Sequence, residues 1–115
     1  MTNTRTILEE SIRLAMLRFL VEDADYSHNT SVLQDLLETI GFAMSRDQVD
    51  TLCAWLAEQG LVTVELVGKV KVAKLTNRGA DVALGRARVP GVKRPSPSEI
   101  MAAASNAALG ILGGG

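Results

Sequence analysis

The run from Ser45 to Gly79, SRDQVDTLCAWLAEQGLVTVELVGKVKVAKLTNRG, leaves this chain few ways to fold. Ser45 and Gln48 form a capping box, in which each side chain can satisfy a free backbone N–H of the other. Val49, Leu52, Cys53 and Leu56 then recur at three- and four-residue spacing, and Trp55 lies on the edge of their stripe. Gly60 stands just past the last turn, where a left-handed residue ends a helix. Leu61, Val62 and Val64 alternate with Thr63 and Glu65 as a strand does. Val67, Gly68 and Lys69 can make a tight turn. Val70, Val72 and Leu75 fall in a return strand with Lys71 and Lys74 between them. The apolar phase slips between Val72 and Leu75, so a bulge or an early strand end is expected there. Thr76 caps a further helix, and Gly79 in its first turn costs about 1 kcal/mol against Ala, which points to close packing.

Upstream, residues 6–23 read as a helix opened by a Thr6–Glu9 capping box. It carries two apolar stripes. One is Leu8, Ile12, Met16, Phe19 and Leu20; the other is Ile7, Leu14, Leu17 and Val21. Two stripes imply burial on both sides, by a C-terminal helix or by a second subunit. Asp23 to Asn29 reads as a polar connector and contains His28, the single histidine. A second helix is expected from about Thr30 to Ile40, ending at Gly41. Phe42 and Met44 are expected to drop into the core from the turn, and the turn plus the Ser45 helix have helix-turn-helix proportions. Helix, helix, helix and hairpin, in that order, are the parts of a winged helix-turn-helix. The expected class is α+β, mostly α, with an additional Ala-rich C-terminal helix.

The expected organisation is a domain over residues 1–86, a basic Pro-containing linker over 87–97 and a helix or tail over 98–115. RARVPGVKRPSP is wholly basic among its charges and rich in Pro, so it reads as no core element. Ser96, Pro97 and Glu99 restart order as N-cap, first helical residue and capping-box partner. Ile100 to Leu112 is too short to span a bilayer.

The net charge of −1 hides an asymmetry: residues 1–60 carry −6 and residues 61–115 carry +5. A basic half points to an anionic partner. Lys69, Lys71, Lys74 and Arg78 cluster at the hairpin, and Arg86, Arg88, Lys93 and Arg94 continue along the linker. Wing and arm together can grip DNA phosphates. On the Ser45 helix the outward face holds Arg46, Asp47, Asp50, Thr51, Ala54 and Glu58. Arg46 and Thr51 can read bases, whereas Asp47 and Asp50 oppose deep entry between phosphates. The alternative for these groups is an ordinary solvated surface.

The DNA-contact candidates are therefore Arg46, Thr51, Lys69, Lys71, Lys74, Arg78, Arg88, Lys93 and Arg94. No catalytic constellation, cofactor motif or metal set is read: His28 has no ligand neighbour at metal spacing, Gly68 lacks phosphate-cradling company, and Cys53 falls on the apolar stripe as a core thiol. One cysteine suits a reducing compartment.

"WLAEQGLV", "LTNRG" and "GRARVPGVKRP" together resemble the small winged-helix proteins of Mu-like bacteriophages and prophages. More loosely, the chain is similar to bacterial regulators of the arsenic-repressor and multiple-antibiotic-repressor type. The resemblance covers roughly residues 8–95. It implies a cytoplasmic phage protein of the late or packaging region, with double-stranded DNA as partner by virtue of the fold. No metal-sensing cysteine pair is present, so metal-dependent repression is not implied. A homodimer is expected, and a phage assembly or regulatory adaptor is the alternative function.

Overall fold

The structure, a computed structural model, describes residues 3–101. The order of elements is α1 (Thr4–Glu22), β1 (Ser27–Asn29), α2 (Thr30–Thr39), α3 (Arg46–Glu58), β2 (Val62–Val67), β3 (Val70–Leu75) and α4 (Asn77–Ala83). The chain is α+β and mostly helical, with one antiparallel sheet of order β1-β3-β2.

Caps define the helices. Asn3 accepts from the Thr6 N–H and starts α1, rather than the expected Thr6–Glu9 box. Asn29 accepts from Val32 N–H at α2. Ser45 and Gln48 form the expected reciprocal box at α3, and the Thr76 hydroxyl accepts from Gly79 N–H at α4. Ser96 Oγ accepts from Glu99 N–H, so the restart after the prolines has the expected cap. The greater part of the expected Ala-rich helix lies outside the described residues.

The polar connector is shorter than expected because its end is a strand. Asp23 Oδ2 accepts from the N–H groups of Asp25 and Ser27, and Tyr26 takes a left-handed φ of 57°. That turn lays Ser27, His28 and Asn29 against Lys74, Ala73 and Val72. Three residues with no apolar alternation carry no strand signal of their own.

The hairpin is regular. Its register runs unbroken from Val62 opposite Leu75 to Val67 opposite Val70, so the expected bulge is absent. Gly68 takes φ 64° at the two-residue turn, the conformation such a turn demands. The face of β3 toward the helices is Lys71, Ala73 and Leu75, because Ala73 and Leu75 are buried. Val72 lies on the opposite face beside Asn29; with Ala73 as the inward residue, Leu75 keeps the alternation and no slip occurs.

The core is aliphatic, built on Met16, Leu17 and Leu20 of α1, Leu33 and Leu37 of α2, and Val49, Cys53 and Leu56 of α3. Val89 and Val92 belong to it. This corrects the reading of the Pro-containing stretch as no core element. Its route is fixed by Lys93 N–H donating to Glu10 O and Arg13 Nη1 donating to Gly91 O at 2.9 Å. The Arg13 guanidinium also stacks 4.1 Å above the Trp55 ring. Gly91, at φ 98°, passes so close to that ring that a Cβ would lie 2.7 Å from Trp55 Cζ2. Leu14, Leu17 and Val21 of the second α1 stripe are buried within the chain, whereas Ile7 of that stripe and Leu8 of the first, both in the opening turn of α1, stay about half exposed.

Candidate nucleic-acid interface

The α2–α3 turn is held by side chains. Gln34 Nε2 donates to Met44 O at 2.8 Å, and Arg46 Nε donates to Gln34 Oε1 at 3.0 Å. Arg46 is thereby steadied at the first turn of α3, and among the described residues its terminal nitrogens have no hydrogen-bond partner. Across from it stands the hairpin tip. Arg46, Lys69 and Lys71 line one cleft of about 470 Å³ with Asn29, Thr30 and Ser31 at the start of α2. The structure therefore brings together three of the sequence candidates, from α3, the turn and β3.

The other candidates lie apart from this cleft. Lys74 pairs in register with Thr63 and Ser27 on the opposite face of the sheet from Ala73. Thr51 is exposed on α3 and donates to Asp47 O. Arg78, at the start of α4, spends its Nε on Gln59 O at 3.1 Å, where it braces the end of α3. Arg88, Lys93 and Arg94 are exposed on the stretch anchored by Gly91 and Val92. That stretch is held to the core by Val89 and Val92 and passes against Trp55 at Gly91, so it is not a free arm. The stretch that carries them passes Trp55 on one flank of α3, and the hairpin stands on the other.

One acid interrupts the cations. Lys71 Nζ lies 3.4 Å from Asp50 Oδ2 across the hairpin–α3 gap, while Asp50 Oδ1 is buried without a partner. Half-exposed pairs of this kind contribute about 0–1 kcal/mol, so Lys71 is easily drawn to a phosphate. Among the described residues Lys69 and Lys74 have no carboxylate partner. Asp50 also faces Cys53. Burial pushes the thiol up to about 11, with the Asp50 charge adding to the rise and Lys71 opposing it. Between pH 9.0 and about 11 the unfolded thiol ionises while the folded one keeps its proton. The native state then binds more protons, and stability falls as pH rises through that window. The shift is worth about 3 kcal/mol. Denaturant titrations at pH 8.5 and pH 10.5, roughly bracketing that window, should show the loss, and Cys53→Ala should flatten it.

A second groove of about 470 Å³ runs between α3 and the sheet; Cys53, Ala54, Ala57 and Val64 line it, with Asp50, Glu58 and Lys71 also on its walls. Leu66, on the same strand face two residues further on, is 68% exposed. Sequence reasoning gave this apolar face no role; the signal was the unbroken run of alternate apolar residues out to the wing tip, more than a solvated hairpin needs. Among the described residues no helix is long and apolar enough to cross a membrane.

No family model and no solved structure matches the chain. Two relatives do. A protein of Haemophilus influenzae, described only as an uncharacterized protein, is 41% identical over 75 residues, covering 64% of this chain and 72% of the relative. A protein of Escherichia phage Mu, described as uncharacterized protein gp26, is 54% identical over 91 residues, covering 79% of this chain and 94% of the relative. With so much of the Mu protein matched at that identity, this chain belongs to the Mu-like phage family of gp26.

Proposed function

We propose that the chain is a non-enzymatic winged-helix protein of phage type that grips the backbone of double-stranded DNA. Three helices followed by a hairpin, with β1 as third strand, support the winged-helix reading. The observation that carries the DNA reading is the grouping of Arg46, Lys69 and Lys71 around one cleft on the side where α3 is exposed. Arg88, Lys93 and Arg94 supply a second set of cations beyond the other flank. The exposed surface of α3 holds Asp47, Thr51, Ala54 and Glu58; two acids there favour backbone contact over base reading, and Arg46 and Thr51 are the base-reading candidates if the helix does enter a groove. The reading extends to a homodimer acting in the cytoplasm of the bacterial host, with the half-exposed Ile7 and Leu8 of α1 as seam.

The second reading is a phage assembly or regulatory adaptor. The apolar groove beside α3 and the exposed Leu66 favour it, since an apolar patch at a wing tip suits a protein partner. A gel shift with a mixed pool of duplexes at low salt separates the two. Retarded DNA is expected; free DNA at every protein concentration would leave the adaptor.

A further inference from the structure

The sheet has one long open edge, and it is β2. In the order β1-β3-β2, β3 is paired on both sides and β2 on one. Leu75 N–H donates to Tyr26 O on the β1 side, and Thr76 N–H donates to Leu61 O on the β2 side. Backbone direction alternates along a strand, so Lys71, Ala73 and Leu75 address β1. Their partners Val62, Val64 and Leu66 therefore turn their own N–H and C=O groups outward from β2. Val64 and Leu66 are exposed there. Natural sheets blunt such an edge with proline, lysine, a bulge or short length. The opposite edge, β1, is only three residues long. VTVELV is six residues long, with an unbroken register and neither proline nor lysine.

This edge is complementary to a second copy of itself. Two copies of β2 related by a two-fold axis run antiparallel, and residues standing opposite each other share a face. Placing Glu65 opposite the partner's Glu65 would set like charges together, which is unfavourable. Placing Val64 opposite the partner's Val64 avoids that. Val62 then meets the partner's Leu66, and Thr63 meets the partner's Glu65. On the helix side, the partner's Leu66 stands at the groove of Ala54, Ala57 and Val64, and symmetry repeats the contact. On the other face, Lys74 lies next to Thr63 in the row that ends at the partner's Glu65. Two strand spacings, about 10 Å, separate the two charges, within reach of two long side chains. Both residues are exposed. Among the described residues neither Glu65 nor Lys74 has an ion-pair partner within the chain.

We infer that a second copy of this chain adds its β2 to this edge, so that the two sheets of three strands become one continuous antiparallel sheet. The inference goes beyond the proposed function and does not rest on DNA binding. It is also a separate contact from the α1 seam. Either can form without the other, and both together would carry the assembly past a dimer.

The test is sedimentation velocity of the full chain over a range of concentrations, which reads its mass. Self-association that grows with concentration is expected. Glu65→Lys sets lysine against Lys74 of the partner subunit, and Lys74→Glu sets glutamate against the partner's Glu65. Each change should weaken the contact about tenfold. Mixed together, the two variants should form a heterodimer about as strong as the parent, because both rows then join opposite charges. An ion pair within one chain cannot produce that recovery. Leu66→Lys, at a residue 68% exposed, should dissolve the contact and leave the thermal midpoint unchanged. Amide hydrogen exchange supplies a second readout: the N–H groups of Val64 and Leu66 should slow as concentration rises. A parent chain that keeps one-chain mass at every concentration overturns the inference. So does self-association indifferent to Leu66→Lys and to the charge changes; its loss on Ile7→Ser with Leu8→Ser would then assign the seam to α1 alone. A parent heavier than two chains that falls to two on Leu66→Lys supports the β2 contact beside the α1 seam.

Discussion

Alanine at Lys69, Lys71 and Lys74 together is expected to weaken duplex binding about a hundredfold or more at low salt. The three losses should not be equal. Lys69 stands in the turn and Lys71 on the helix side of the sheet, both at the cleft that Arg46 completes. Lys74 points from the other face, opposite Thr63 and Ser27. A duplex lying along α3 reaches the first two and misses the third. Lys69→Ala with Arg46→Ala should therefore cost about as much as the triple change, and Lys74→Ala alone should cost little. Lys71→Ala also removes the cation paired with Asp50 at 3.4 Å, so a thermal melt should accompany each titration. Under the adaptor reading all of these variants leave duplex binding where it was. Equal losses at Lys69 and Lys74 would contradict the proposed face while keeping DNA as partner.

Gly79→Ala is expected to destabilise the chain by about 3 kcal/mol or more, although helix propensity alone predicts a gain of about 1 kcal/mol. Gly79 has ordinary helical backbone, so conformational freedom does not explain it. Space does. A Cβ there would run into the carbonyl oxygen of Leu61 and lie 2.7 Å from Leu75 Cδ1. That carbonyl accepts the Thr76 N–H at 3.1 Å, the bond that ties the end of the hairpin to the entry of β2. The obstacle is backbone, which cannot swing aside as a side chain would. For a domain of this size the midpoint of thermal unfolding should fall by roughly 15 °C. A midpoint at or above that of the parent would show that α4 does not pack on the hairpin root as described.

Much of this was legible because the local signals are chemical. Ser45 with Gln48, Thr76 and Ser96 each present an oxygen where a helix needs one. Gly60 and Gly68 each take the positive φ that ends a helix or turns a hairpin. The tightness at Gly79 was legible too, since a glycine in a first helical turn needs a reason. The parts that were not legible depend on distant partners. Ser27–Asn29 becomes a strand only because β3 offers an edge and Asp23 bends the chain back to it. Val89 and Val92 are buried only because Gly91 lets the chain press on Trp55 under the Arg13 stack. Nothing in a local run of Arg, Pro and Gly announces such a contact. The candidate cations were all visible, but their grouping was not: a hairpin read from alternation does not say that Lys71 and Lys74 face opposite ways when the inward residue between them is an alanine.

Anisotropy of a labelled duplex, titrated with the full chain at several salt concentrations, tests the central claim most directly. If about four of the basic side chains meet phosphates, log affinity should fall against log salt with a slope near −3.6, and removing Lys69 should flatten the slope by about 1. Binding that ignores salt, or no binding at the lowest salt, would contradict a phosphate grip.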